Sequence, residues 1–230
     1  MKLNEQQIEK LYLFTRQHFV EFYDLQTELV DHLANAIEAQ LQLVPNRTFD
    51  VALQIEFKKF GVFGFMEVVE KRQAALNKKY AKIVWSHFKK FFRLPQIIGT
   101  FSAIGILYLI LKRSLHSEAI FIGFSVVFMV LFFVELVRNM RKIKKRNQET
   151  GKKWLFKEII YGYGQGAAFF YLPLQTLFHL KDFISNDFFL LLGCFLVVSM
   201  VLGQYIILVL IPKKAEEYLL ETYPEYQFVD

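Results

Sequence analysis

Glu28, Asp31 and His32 stand within about one turn of a helix, a spacing that lets Glu28 and His32 reach a common metal ion. A carboxylate-bridged metal needs matching ligands from other helices. His18 and Glu21 are the donors that the preceding turn would have to bring near. Acid–histidine clusters of this kind are more often structural, with the histidine beside an apolar stripe and the acids in water. No metal is expected at Glu28, Asp31 and His32, which are instead the candidate contacts for a protein partner.

Gly162, Gly164 and Gly166 form a second cluster. They follow no strand and open no βαβ unit, so a nucleotide-binding loop is not expected there. Within an apolar helix, Gly162 and Gly166 make a small-residue face that lets a neighbouring span approach closely, as Gly99 and Ala103 do in an earlier run. Gln165, Pro173, Gln175, Thr176 and His179 add polarity to the same stretch, and Gln204 to the last apolar run. Polar groups in lipid can line a pathway, although hydrogen bonding between helices accounts for them without one. The sequence contains no HExxH, no serine elbow and no phosphate loop. The chain is expected to be no enzyme and to need no cofactor.

The elements that must position these residues fall into two groups. Hydrophobic residues make up 54% of the 230 positions and crowd into the later part of the chain. Residues 94–111, 119–137, 159–180 and 188–211 are four apolar runs, each close to the roughly 20 residues that cross a bilayer. The first ninety or so positions read instead as amphipathic helices. Asn4 and Gln7 form a capping box that opens a helix over residues 5–19. Asp24 is placed to cap a second, with the stripe Leu25, Leu29, Leu33 and Ile37. Thr48 caps a third, which Gly61 stops, and a fourth follows Gly64 towards the membrane. The expected fold class is all-α. A soluble N-terminal helical bundle (1–90) precedes a four-helix transmembrane region (91–212) and a cytoplasmic tail (213–230), whose one short amphipathic helix ends before Pro224.

The net charge of +6 gathers at the membrane borders, at Lys89, Lys90 and Arg93, at Lys213 and Lys214, and in the connector 138–157. That connector carries Arg138, Arg141, Lys142, Lys144, Lys145, Arg146, Lys152, Lys153 and Lys157 against one acid, Glu149. Short Lys/Arg-rich loops stay in the cytoplasm and attract anionic lipid headgroups. Membrane lipid thus explains the basic character more simply than nucleic acid, and no nucleic acid partner is expected. With four spans, both termini then face the cytoplasm of an inner-membrane, multi-pass protein. The first ten residues are polar and mixed in charge, unlike a cleavable signal peptide. The single cysteine, Cys194, sits in an apolar run and suits packing.

Tyr23, Leu25, Glu28, Leu29, Asp31, His32, Leu33 and Ile37 lead into Thr48-Phe49 with Ala52, and then into Phe60-Gly61. The order is an acidic amphipathic helix, a polar turn, a short T-F-x-x-A helix and an aromatic–glycine stop. Over residues 19–69 this resembles the helical cytoplasmic module known as HAAS, and the start of a group of bacterial multi-pass membrane proteins. The linker around Pro45 is wider than in the commoner pattern, and the aromatic residues near Phe63 and Phe65 are additional to it. Because such modules precede membrane spans and accompany transcriptional regulators and signalling proteins, the resemblance implies a membrane-bound sensing or regulatory component.

Two functions compete on these grounds. A non-enzymatic inner-membrane regulator would capture a protein partner through its cytoplasmic helices, and its small-residue faces would allow a homo-oligomer. A small transporter or channel-like subunit would instead use the polar residues of spans three and four.

Overall fold

The computed structural model describes residues 2–162 and 186–228, and these are helical, with no strand among them. Helix α1 (Glu5–Gln17) opens on the expected capping box. The Asn4 side chain accepts from the Gln7 amide at 2.8 Å, and the Gln7 side chain accepts from the Asn4 amide at 2.9 Å. It closes with the Val20 amide donating to the Thr15 carbonyl and the Phe19 amide to the Arg16 carbonyl, both at 3.1 Å. Phe19 takes the left-handed position of that turn (φ 64°), where glycine is usual.

Helix α2 (Tyr23–Leu43) departs from expectation at its start. Its N-cap is Phe22, which makes no side-chain cap bond, and Asp24 lies buried inside the first turn. The carboxylate is engaged by residues far along the chain, which no local spacing reveals. Helix α3 (Phe49–Lys58) is capped by Thr48 as expected, its hydroxyl accepting from the Val51 amide at 3.4 Å. Gly61 and Gly64, both with positive φ, then turn the chain into α4 (Met66–Lys90). Leu11, Leu25, Leu29, Leu33, Ile37, Ala52 and Leu53 are buried between these helices, with Phe65, Leu76 and Tyr80 of the α4 region. Each large side chain of this kind contributes about 1.5–3 kcal/mol on burial.

Helix α5 (Gln96–Arg113) follows a short turn, held where the Thr100 hydroxyl donates to the Phe91 carbonyl at 3.0 Å. Helix α6 (Ser117–Thr150) corrects the expectation of a basic loop after residue 137. It runs on to Thr150 and stops at Gly151, which adopts the left-handed conformation (φ 65°). At about 1.5 Å per residue the helix is roughly 51 Å long, so about 20 Å of it extends past the apolar run. Helix α7 (Leu155–Tyr161) follows a short turn. Helix α8 (Asp187–Tyr205) continues through a π-helical stretch (Ile206–Leu210) and a last turn (Ile211–Lys213). The tail forms α9 (Ala215–Thr222) and a 3-10 turn (Pro224–Phe228).

Helices α5, α6 and α8 with its continuation are long and apolar enough to cross a membrane, three such helices among the described residues. The span expected at residues 159–180 falls almost wholly outside them. Phe101, Ile106 and Leu109 of α5, Val126, Val130 and Val134 of α6, and Leu191 and Leu192 of α8 are exposed. Water penalises such surface by about 25 cal/mol per Å², whereas lipid does not, and the chain is a membrane protein. At one end of these helices Lys112 Nζ lies 2.6 Å from Asp187 Oδ2, joining α5 to α8. At the other end lies the shared core. Ile143 of α6, Trp154, Leu155, Phe156 and Ile160 around α7, and Leu219, Tyr223 and Tyr226 of the tail are buried in one cluster with α1–α4. The helical module is thus assembled from three separate stretches of chain.

Candidate functional site: the junction between spans and helical module

The carboxylate of Asp24 is where those three stretches meet. Its Oδ1 accepts from the Leu155 amide at 3.0 Å, and its Oδ2 accepts from the Tyr223 hydroxyl at 2.6 Å. One residue earlier, the Tyr23 amide donates to the Lys153 carbonyl at 2.7 Å. Burial pushes the Asp24 carboxyl above the ordinary carboxylate range, and the bonds from Tyr223 and Leu155 hold that rise in check. The Tyr223 hydroxyl is pushed up by burial and by the Asp24 charge beside it. Trp154 roofs the junction, its ring centroid 5.3 Å from Tyr23, 5.2 Å from Tyr223 and 5.1 Å from Tyr226. Lys157, read from sequence as part of the basic connector, is buried, with Nζ 3.3 Å from the Tyr226 hydroxyl. Helix α7 turns that face into the core.

Two further ties join the tail and α8 to the same assembly. His87 Nε2 lies 2.7 Å from the Tyr218 hydroxyl, and Lys79 Nζ donates to Thr222 Oγ1 at 2.9 Å, so α4 grips α9. Burial, with the nearby Lys90 and Lys214 charges, lowers the His87 pKa below its ordinary value. On the span side, Asn139 Nδ2 donates to the Leu208 carbonyl at 2.9 Å. Leu208 precedes Pro212 by four residues, and Pro212 has no N–H to give to the turn behind it. The π-helical stretch and the buried Asn139 amide together satisfy the backbone there. The Tyr161 hydroxyl donates to the Pro212 carbonyl at 3.2 Å, and Arg146 lies 2.5 Å from Glu216.

The residues singled out by sequence sit around this junction in different ways. Glu28 is exposed, with one carboxylate oxygen 4.0 Å from Arg72 Nε. Asp31 and His32 are exposed on the same helix, and the His32 ring lies edge-on to Phe60 at 6.2 Å. Among the described residues no three His, Cys, Asp or Glu side chains are placed to hold a metal. In the basic connector, Arg138 pairs with Glu135 at 2.7 Å and Lys145 with Glu149 at 3.8 Å, while Arg141 and Lys144 are exposed. Lys142 lies over Tyr161 and Lys152 over Tyr23, and Lys153 pairs with Glu21 at 3.1 Å. Gly99 and Ala103 lie on an exposed face of α5, with nothing within 4 Å of a Cβ built at Gly99. Gly162 ends α7, and Gly166 falls outside the described residues, as do Gly164, Gln165, Pro173, Gln175, Thr176 and His179. Gln204 is buried in α8.

Asp24, Trp154 and Tyr223 were the residues that sequence reasoning missed as a group. The available signal was Tyr218, Leu219, Tyr223 and Tyr226, an aromatic face too apolar for a tail in water. Chemically, the arrangement is a set of charge-assisted and aromatic ties between the helices long and apolar enough to cross a membrane and the other helices. Comparison with protein-family models, with curated proteins and with solved structures finds no match.

Proposed function

We propose that the chain is a non-enzymatic inner-membrane sensing or regulatory protein whose cytoplasmic, HAAS-like helical module captures a protein partner. The observation that carries this reading is the continuity of the junction. Helix α6 passes from its span into the module without interruption, α8 leads into the tail, and Asp24 receives both the connector and the tail. A change in span packing would therefore be felt at α2, where Glu28, Asp31 and His32 offer an exposed polar face to a partner. Regulation by such a shift needs only that the partner bind the two arrangements unequally.

The topology belongs to the same proposal. Tyr161 is buried in the module, whereas Asp187 sits at the far end of α5 against Lys112. Almost all of the chain between them lies outside the described residues. The apolar run 159–180, taken as a span, gives four spans with both termini on one side. The module end is also the more basic, with Lys89, Lys90, Arg93, Lys213 and Lys214 beside the connector, which favours the cytoplasm and contact with anionic headgroups.

The test is photo-cross-linking in native membranes with the probe at Asn35, exposed one turn from Asp31. A discrete cross-linked species is expected, and a Glu28→Lys, Asp31→Lys, His32→Ala variant should lose it while keeping its thermal unfolding temperature. An unchanged cross-link in the folded variant would remove this face as the partner site.

A further inference from the structure

The α1–α2 turn and the α6–α7 turn face each other across an open cleft of about 510 Å³, within the range of small-ligand sites. Arg16, Lys152 and Lys153 line it, with Glu21 as the acid. Lys153 is neutralised by Glu21, Nζ to Oε2 3.1 Å. The other two cations are held by neutral groups. Arg16 Nε donates to Gln26 Oε1 at 3.4 Å, and Lys152 Nζ sits 4.3 Å from the centre of the Tyr23 ring. Gln26 is only 3% exposed, and its own amide donates to the Val20 carbonyl at 2.6 Å, so the group that orients the guanidinium is itself fixed. The two walls are tied together by the Tyr23 amide and the Lys153 carbonyl. Gly151, left-handed at the end of α6, is what brings the chain round so that Lys152 follows directly into the cleft.

Two cations paired with no carboxylate among the described residues, one a planar fork and one a point charge, beside an aromatic face, fit an anion that accepts several hydrogen bonds. We propose that this cleft binds a phosphate-bearing small molecule, with Arg16 and Lys152 on the phosphate and Tyr23 flanking it. The cleft lies about 20 Å along α6 from the end of its apolar run, a separation that favours a soluble ligand over a headgroup. Binding would clamp the N-terminal helices to the end of α6, a contact independent of the partner face on α2.

The full chain in phosphatidylcholine nanodiscs, titrated with inorganic phosphate and with adenosine monophosphate by calorimetry, tests this. Saturable binding of at least one probe is expected, weakened at least about ten-fold by Arg16→Gln and by Lys152→Gln, the effect of losing one charge-assisted contact. Lys58→Gln, an exposed residue that does not line the cleft, should bind as the wild type does. Circular dichroism confirms that each variant is folded. No saturable binding of either probe, or equal weakening by all three substitutions, would overturn the assignment. Loss of binding when the discs contain phosphatidylglycerol, with neither cleft variant altering it, would assign the effect to the membrane surface and overturn it equally.

Discussion

Replacing Tyr223 by phenylalanine removes one hydroxyl from the junction and leaves its ring in place against Trp154. The lost bond is 2.6 Å long, buried and made to a carboxylate. A hydrogen bond to a charged group contributes about 1.5–3 kcal/mol, more than the roughly 0–1 kcal/mol of an exposed ion pair such as Lys153–Glu21. For a chain of this size about 2–4 °C accompanies each kcal/mol, so Tyr223→Phe should lower the unfolding temperature by roughly 3–12 °C at neutral pH. Glu21→Gln should lie within about 1 kcal/mol of the wild type. The pH dependence sharpens the test. The folded Asp24 pKa is raised above 3.8, so the folded state binds more protons than the unfolded state in the window above that value. Stability from this group is greatest at low pH and is lost as pH rises through the folded pKa. Removing the Tyr223 bond raises the folded pKa further and deepens that loss. Below the window the carboxyl is neutral, and the deficit shrinks to the value of a neutral bond, about 0.5–1.5 kcal/mol. Thermal unfolding in detergent at neutral and acidic pH measures both. Equal unfolding temperatures at neutral pH, or a deficit that grows on acidification, would refute the charge-assisted tie.

Asn139→Leu leaves the Leu208 carbonyl without its side-chain donor in a buried place, and should cost about 1–3 kcal/mol by the same unfolding measurement. His87 acts with the opposite sign to Asp24. Its folded pKa lies below 6.5, so its contribution is full above that value and is lost as pH falls through the window between the unfolded and folded values. His87→Gln should therefore flatten the acid side of the stability profile below pH 6.5, read as unfolding temperature against pH.

Much of the fold was legible from the sequence because its causes are local. The Asn4–Gln7 capping box, the Thr48 cap and the apolar stripe of α2 depend on residues a few positions apart, and each appears where spacing places it. Length and hydropathy likewise marked the runs that became α5, the first part of α6, and α8. The candidate site was less legible. Glu28, Asp31 and His32 share a helical face as their spacing requires, yet they do not form the junction.

What the sequence determined by itself is the helical class, the apolar segments and the basic residues that flank them. Only the tertiary structure decided that Asp24 is buried instead of capping, that α6 continues through its basic stretch to Gly151, and that the tail enters the core. The physical reason is separation along the chain. Asp24 meets Leu155 and Tyr223 across 131 and 199 residues, and the burial that sets its pKa exists only once all three are assembled. A helix likewise continues through lysines and arginines when one of its faces, here Asn139 and Ile143, finds a partner to pack against.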